Sequence, residues 1–520
     1  MRVEAARLEG DALTLDLAFV NTGAHDLQGP TAVSGGDAVL VADGKPQSPR
    51  DVTPSLATDL APSATWRVGE ANQGELTFTR PQGQGATLRL PGFPTVQIDL
   101  AAGSAVALAD DGGPLPTPTP NTVGQAVAEV RGVLKGLADA VRAGDEDGFH
   151  RLVGPEAAAY LGQPEAFAFA RAVPFSRFEL DLFAVDLARP GVVEQREGQP
   201  VAIHGALVTL VFAFTGVEQN WFRHLLTVDF ERGEAGWRLA RIAGDPPPFW
   251  THGLIEVTRT PHFLAFHRPG EDVGDILDAA EQAHAKLTER LGTLVEPVSI
   301  LVAPDSVEEY SRVTGQNGHD FIGQARFNNL LTPSGILAVG RALYINEAVF
   351  RSGAVQNTRL QTVQHELTHL TLSRWSRPWT PPWLIEGAAG VFAGEPNRPA
   401  LDQFLRAKGP NAISLADLTG IDTLEQGPVS LSIAYPYATA VSQTLIEEYG
   451  QERYLEFYRS FTDVSLDEAR QAAGDGASVS LDRFRVLQRS ATDQSLAHVF
   501  GLTLAELEAK TEARLMQQLK

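Results

Sequence analysis

A chain of 520 residues that is 43% hydrophobic and 20% charged has apolar material for several buried cores and predicts roughly three domains. Its formal net charge of −22 argues against nucleic acid and anionic membranes as partners. It has no cysteine, which rules out disulfides and thiolate metal ligation, and no apolar run approaches the length needed to span a bilayer.

Residues 1–104 predict a β-sandwich. Leu13, Leu15, Leu17 and Phe19 alternate with smaller or polar neighbours, the period of a half-buried strand, and Asn21-Thr22-Gly23 supplies a turn. Short runs at 38–41, 76–78, 87–90 and 96–98 recur between Gly- and Pro-rich breaks, as in an immunoglobulin-like module. Such modules bind, space or shield, and no residue here is a catalytic candidate. The chain lacks a basic segment followed by an apolar one at its start, and strand-like sequence begins at once. The sequence is therefore expected to be a mature or trimmed form of an extracytoplasmic protein, secreted or held in the cell envelope. A Pro/Thr-rich linker follows at 105–122, where Pro114, Pro116, Pro118 and Pro120 impose an extended, semi-stiff chain.

A different pattern starts near Val123. Ala126, Val130, Val133, Leu134, Leu137 and Val141 mark an amphipathic helix, closed by Ala143-Gly144-Asp145. Strand-rich stretches follow at 178–187, 201–214 and 222–242. A long helix and then a curved antiparallel sheet resembles the nuclear-transport-factor-like cone, the fold shared with ketosteroid isomerase, and Gly236-Trp237-Arg238-Leu239 fits that family's last strand. The resemblance implies an α+β domain over 123–248 of a kind that can hold a small ligand or an acid/base site. His204, His224 and Asp229 lack the spacing of a site and are expected to be solvated or satisfied in the core.

The last domain, 249–520, carries the most informative residues. His365-Glu366-Leu367-Thr368-His369 spells H-E-x-x-H. An α-helix turns about 100° per residue, so two histidines four apart lie about 40° apart on one face and can grip one ion. Glu366 projects beside that ion, where a carboxylate can take a proton from water. Leu360, Val363, Leu367 and Leu370 form an apolar stripe opposite the histidines, which directs one face to a core and the other to a cleft.

A site of this kind needs a third protein ligand and an open fourth position. Pro381 and Pro382 suit the start of a second helix, and Glu386 falls in its first turn or two. Gly387, Ala388, Ala389 and Gly390 would let that helix approach the first closely. Placed after H-E-x-x-H and inside Trp383-Leu384-Ile385-Glu386-Gly387-Ala388-Ala389, Glu386 reads as the third ligand.

These two segments resemble the gluzincin branch of zinc peptidases, and specifically the bacterial peptidase MA-like domains. The resemblance runs over about 250–520. It takes in the strand-like Ile300-Leu301-Val302-Ala303, an expected edge strand at Leu343-Tyr344-Ile345, and the stretch 495–502 before a last amphipathic helix. It implies an α+β zincin-like domain with a mainly helical C-terminal part, Zn2+ as cofactor, and a peptide or protein as substrate. His365, His369 and Glu386 would be the zinc ligands and Glu366 the general base. An oxyanion donor is expected from Tyr435-Pro436-Tyr437-Ala438, ahead of a helix at 439–449, with Tyr437 the first choice and Tyr435 the second. Thermolysin-like enzymes place an Asp four residues after the ligand Glu to orient a histidine; here that position is Gly390, and the partner must come from elsewhere. No exopeptidase signature for a substrate's amino terminus is present, which leans towards endopeptidase action. The rival readings are a non-catalytic peptidase-like envelope scaffold, or an enzyme seated in the cone with the C-terminal half as its accessory.

Overall fold

The computed structural model describes residues 2–9, 12–20, 39–42, 45–47, 51–52, 71–83, 85–89, 96–100, 104–107, 122–161, 167–185, 191–243, 248–332, 335–353, 358–395, 399–409, 412–421, 423–464 and 481–519. The chain is a multidomain α+β protein with a mainly helical C-terminal part. The turn expected at Asn21-Thr22-Gly23 and the prolines of the linker lie outside the described residues.

The first module has nine described strands: β1 (Arg2–Glu9), β2 (Ala12–Val20), β3 (Val39–Ala42), β4 (Lys45–Gln47), β5 (Asp51–Val52), β6 (Ala71–Thr79), β7 (Gly85–Arg89), β8 (Val96–Asp99) and β9 (Ser104–Ala107). They form two antiparallel sheets, β1-β2-β6-β5 and β4-β3-β7-β8-β9. Alternation works as expected: Leu13 and Leu15 in β2 and Val96 and Ile98 in β8 are buried, while Gln97 and Asp99 face out. Strand β9 carries this module three residues past the boundary expected at 104.

Helix α1 (Thr122–Ala143) opens the middle module, ending at Gly144 with φ +68°. Three short helices follow, α2 (Glu146–Leu152), α3 (Pro155–Leu161) and α4 (Ala168–Ala172). The antiparallel sheet then comes from β10 (Phe175–Ala184), β11 (Val193–Arg196), β12 (Gln199–Phe214), β13 (Phe222–Gly233) and β14 (Gly236–Ala243). Its strand order is β10-β12-β13-β14, with β11 also on β12. The interior is filled by aromatic rings, among them Phe149, Phe169, Phe178, Phe212 and Trp250. What space remains is an apolar void of about 10 Å³, at the lower limit for a single water. Asp229 accepts hydrogen bonds from the Gly205 N–H and Arg241, with His204 beside it, on the outer surface. These are the solvated side chains expected, and the interior has no room for a substrate.

The last module has a mixed five-stranded sheet from β15 (Glu256–Arg259), β16 (Phe263–His267), β17 (Ser299–Ala303), β18 (Gly323–Thr332) and β19 (Gly335–Ile345), ordered β15-β16-β17-β19-β18. Strands β16, β17 and β19 run parallel, and β18 returns antiparallel to β19 at the edge. The expectation of an edge strand at Leu343-Tyr344-Ile345 is corrected: these residues belong to β19, flanked on both sides and buried on both faces, and the edge is β18. A continuous apolar run is the mark of such an interior strand.

The two faces of this sheet feed different cores. Phe263, Ala265, Leu301, Ala303, Leu343 and Ile345 pack with Ile276, Ala280 and Leu287 of helix α5 (Gly274–Leu291). Their neighbours Leu264, Phe266, Ile300, Val302, Ala342 and Tyr344 point the other way, into the aromatic core of the middle module. Phe214 and Phe249 stand 4.6 and 4.8 Å from Phe266, ring centre to ring centre. At the same seam Gly340, at φ +63°, donates its N–H to the Trp221 carbonyl and sits against Phe222, and Asn220 bonds the Arg341 backbone twice.

The remaining helices are α6 (Val307–Thr314), α7 (Glu347–Arg351), α8 (Arg359–Leu372), α9 (Pro382–Ala393), α10 (Pro399–Lys408), α11 (Leu431–Tyr449), α12 (Gln451–Ser460), α13 (Leu481–Phe500) and α14 (Leu504–Gln518). Among the described residues, no helix is long and apolar enough to cross a membrane.

Candidate metal centre

Helix α8 starts at a capping box, in which Thr358 accepts from the Gln361 N–H and the Gln361 side chain reaches back. Val363, Leu367 and Leu370 are buried against the sheet, as their spacing predicts. That orientation leaves His365 and His369 on the opposite face, their ring centres 4.8 Å apart.

Helix α9 begins with Pro382 in its first turn. Its glycines do not face α8, as expected from the sequence, but α11. A Cβ on Gly387 would strike the Ala438 carbonyl and Ser442 hydroxyl, and one on Gly390 the Thr439 hydroxyl. The backbone of α9 can therefore lie directly on α11, which turns Glu386 towards α8. The Gln364 side chain donates to the Phe392 carbonyl and ties the end of α9 to α8.

Glu386 Oε2 lies 3.2 Å from His365 Nε2 and 3.4 Å from His369 Nε2. All three atoms lie within 4.8 Å of one another, and no other such group of three occurs among the described residues. Zinc bonds of about 2.0–2.1 Å in tetrahedral geometry set ligand atoms about 3.3 Å apart, so these spacings fit. The donor chemistry agrees. His365 Nδ1 lies 3.0 Å from Glu395 Oε1; with the ring proton held there, Nε2 presents a lone pair to the Glu386 carboxylate. Two acceptors facing each other call for a cation between them, and a two-nitrogen, one-oxygen set suits zinc.

The electrostatics point the same way. Burial alone would raise the Glu386 carboxyl, but the His369 and His365 rings more than reverse this and hold it well below the usual range. Burial disfavours charge on His365, yet Glu386 and Glu395 outweigh it and draw positive charge to that ring. Burial pushes the Glu366 carboxyl up, against the pull of both histidines. Glu366 is buried beside the ligands, and its Oε2 accepts the Ala325 N–H of β18 at 2.7 Å. These groups open onto a cleft of about 300 Å³ walled by β18, α9 and Tyr435.

The choice of Tyr437 as oxyanion donor is corrected. Helix α11 starts at Leu431 rather than Thr439 and includes Pro436, so both tyrosines are helical and point about 200° apart. Tyr437 is fully buried, its hydroxyl finds no partner among the described residues, and it faces Glu508 and Glu512. Tyr435 lines the cleft, where the Glu386 charge and then burial keep its phenol protonated far beyond the ordinary range. Glu395 and the Ala325 N–H carry no sequence signal: one follows the Gly394 helix cap and the other is a backbone group.

No protein-family model matches the chain, and no curated protein matches it. Among solved structures it is similar to an M1 zinc metallopeptidase from Deinococcus radiodurans, with 14% identity, 97% of this chain and 89% of that chain covered, and a TM-score of 0.29. A mutant of an M1 zinc metallopeptidase from the same organism matches at 13% identity over 97% and 90% of the two chains, with a TM-score of 0.28. A mutant two-domain M1 zinc metallopeptidase bound to L-tryptophan matches at 12% identity, with the same coverage and TM-score. A likeness this distant assigns no activity.

Proposed function

We propose that this protein is a zinc-dependent endopeptidase of the gluzincin type. One observation carries the reading: His365 Nε2, His369 Nε2 and Glu386 Oε2 converge at the spacing of a tetrahedral zinc site, with the buried Glu366 beside them. When bound there, zinc supplies a Lewis acid that acidifies water and polarises a carbonyl.

The side chains divide the remaining work. Glu366 takes a proton from the water that attacks the scissile carbonyl and returns it to the departing amine. The Ala325 N–H holds Oε2 of that carboxylate, which fixes its direction. Glu395 keeps the His365 proton on Nδ1 and frees Nε2 as a ligand. The Tyr435 hydroxyl, kept protonated by its acidic surroundings, donates to the oxyanion of the tetrahedral intermediate. Strand β18 offers an open edge along the cleft to an extended peptide.

Residues 1–104 are proposed as an immunoglobulin-like module and 123–248 as a nuclear-transport-factor-like cone, both non-catalytic, and the protein as extracytoplasmic. The purified chain is expected to hold about one zinc per molecule and to cleave casein until a chelator removes the metal. A chain that binds no zinc, or one that cleaves equally well with and without chelator, would sink the reading and leave the scaffold alternative.

A further inference from the structure

The charge of the cleft has a consequence for what enters it. Glu366, Glu386 and Glu425 line it, no Lys or Arg does, and Glu395 lies just behind His365. Glu425 sits exposed on a short 3-10 turn (Leu424–Gln426) at the rim, and no cation among the described residues pairs with it. All four carboxylates act on the Tyr435 hydroxyl. Together they outweigh a divalent cation, so the cleft remains negative with the metal in place. The wall also holds Gln324, whose buried Oε1 has no donor among the described residues and is free to accept one.

We propose that the cleft selects peptides carrying a Lys or Arg side chain next to the scissile bond, with Glu425 as the specificity-determining residue. This rests on the hydrolytic reading above and goes further by naming the substrate class. A cationic side chain gains the field of the cleft and meets Glu425 at the rim; an acidic one is repelled by both. Glu366 and Glu386 are committed to proton transfer and metal ligation, which leaves Glu425 as the carboxylate available to a substrate.

The test compares two peptides of one sequence, blocked at both ends, with Lys or Glu flanking the central bond. Blocking removes the terminal ammonium, so that any preference comes from the side chain. On zinc-loaded protein the Lys peptide is expected to show the higher kcat/KM, by up to about fivefold for one exposed charge pair. That ratio should shrink at high salt, approach one in Glu425→Gln and invert in Glu425→Lys. Binding of the same peptides to the Glu366→Gln variant, read by fluorescence anisotropy, should give the same order without turnover. Preference in binding with no cleavage by the wild type would overturn the hydrolytic reading and keep the selectivity. Equal handling of the two blocked peptides in both assays, or a ratio unmoved by both Glu425 variants, overturns the selectivity and leaves the hydrolytic reading standing.

Discussion

The Nδ1 atom of His365 lies 3.0 Å from Oε1 of Glu395, a carboxylate just past the Gly394 cap of α9. The helix that delivers Glu386 as a ligand thus also delivers, from its far end, the group that orients the first histidine. The two contacts grip His365 from both ring nitrogens. Replacing Glu395 with Gln is expected to weaken zinc binding by about 10- to 100-fold while leaving the fold intact. Chelator competition gives the affinity and circular dichroism the fold; an unchanged affinity would remove Glu395 from the site.

Glu366→Gln keeps the shape and the Ala325 contact but cannot take a proton. Zinc content should match the wild type, and turnover should fall by about 10²- to 10⁴-fold. Metal analysis beside an assay on a quenched peptide separates loss of the base from loss of the metal.

Gly387 and Gly390 permit the contact of α9 with α11. Gly387→Ala drives a methyl into the Ala438 carbonyl, which is backbone and cannot swing aside. A loss of about 1–3 kcal/mol is expected, with reduced zinc affinity because Glu386 moves with its helix. Gly390→Ala meets only the Thr439 side chain, so adding Thr439→Ala should recover much of its loss. Urea unfolding of the single and double variants measures both effects.

The shared core predicts that the C-terminal half is not self-sufficient. A fragment of residues 249–520 bares Phe266, Ile300, Val302, Ala342 and Tyr344, and should aggregate when expressed alone, whereas residues 122–520 should stay monodisperse. In the full chain, Phe266→Ala is expected to cost about 3–5 kcal/mol. Size-exclusion chromatography and urea melts decide both points.

His284 predicts an acid-sensitive step remote from the metal centre. Burial lowers its pKa first; the Glu296 carbonyl and Glu281 oppose this, while the His262 ring, stacked at 3.9 Å, reinforces it. With its folded pKa depressed, the unfolded chain takes up the proton first. The stability His284 contributes is intact above its unfolded value of about 6.5 and is lost as pH falls below it towards the folded value. Tm should therefore drop between about pH 7.5 and about pH 5.5, and less steeply in His284→Gln. An equal slope in the variant would assign the sensitivity elsewhere.

Several expectations failed where the answer lay in a helix's phase or a sheet's order. Tyr435 and Tyr437 are equivalent as letters; only the start of α11 at Leu431 determines which one faces the cleft. The glycines after Glu386 promised close packing without naming the helix they meet. Leu343-Tyr344-Ile345 reads as a strand in any position, and its central place follows from where the chain returns in β18.

The linear chain by itself determined the ligand pair, the base and the third ligand, because helical spacing turns four residues of separation into a shared face and the flanking apolar stripe orients it. It determined the order of its modules too, through local period and proline content. Only the tertiary structure decided which tyrosine reaches the cleft, that Glu395 orients His365, that β18 borders the site, and that two modules share one core. Those are contacts between segments remote in sequence, set by which faces pack together, and no local pattern encodes them.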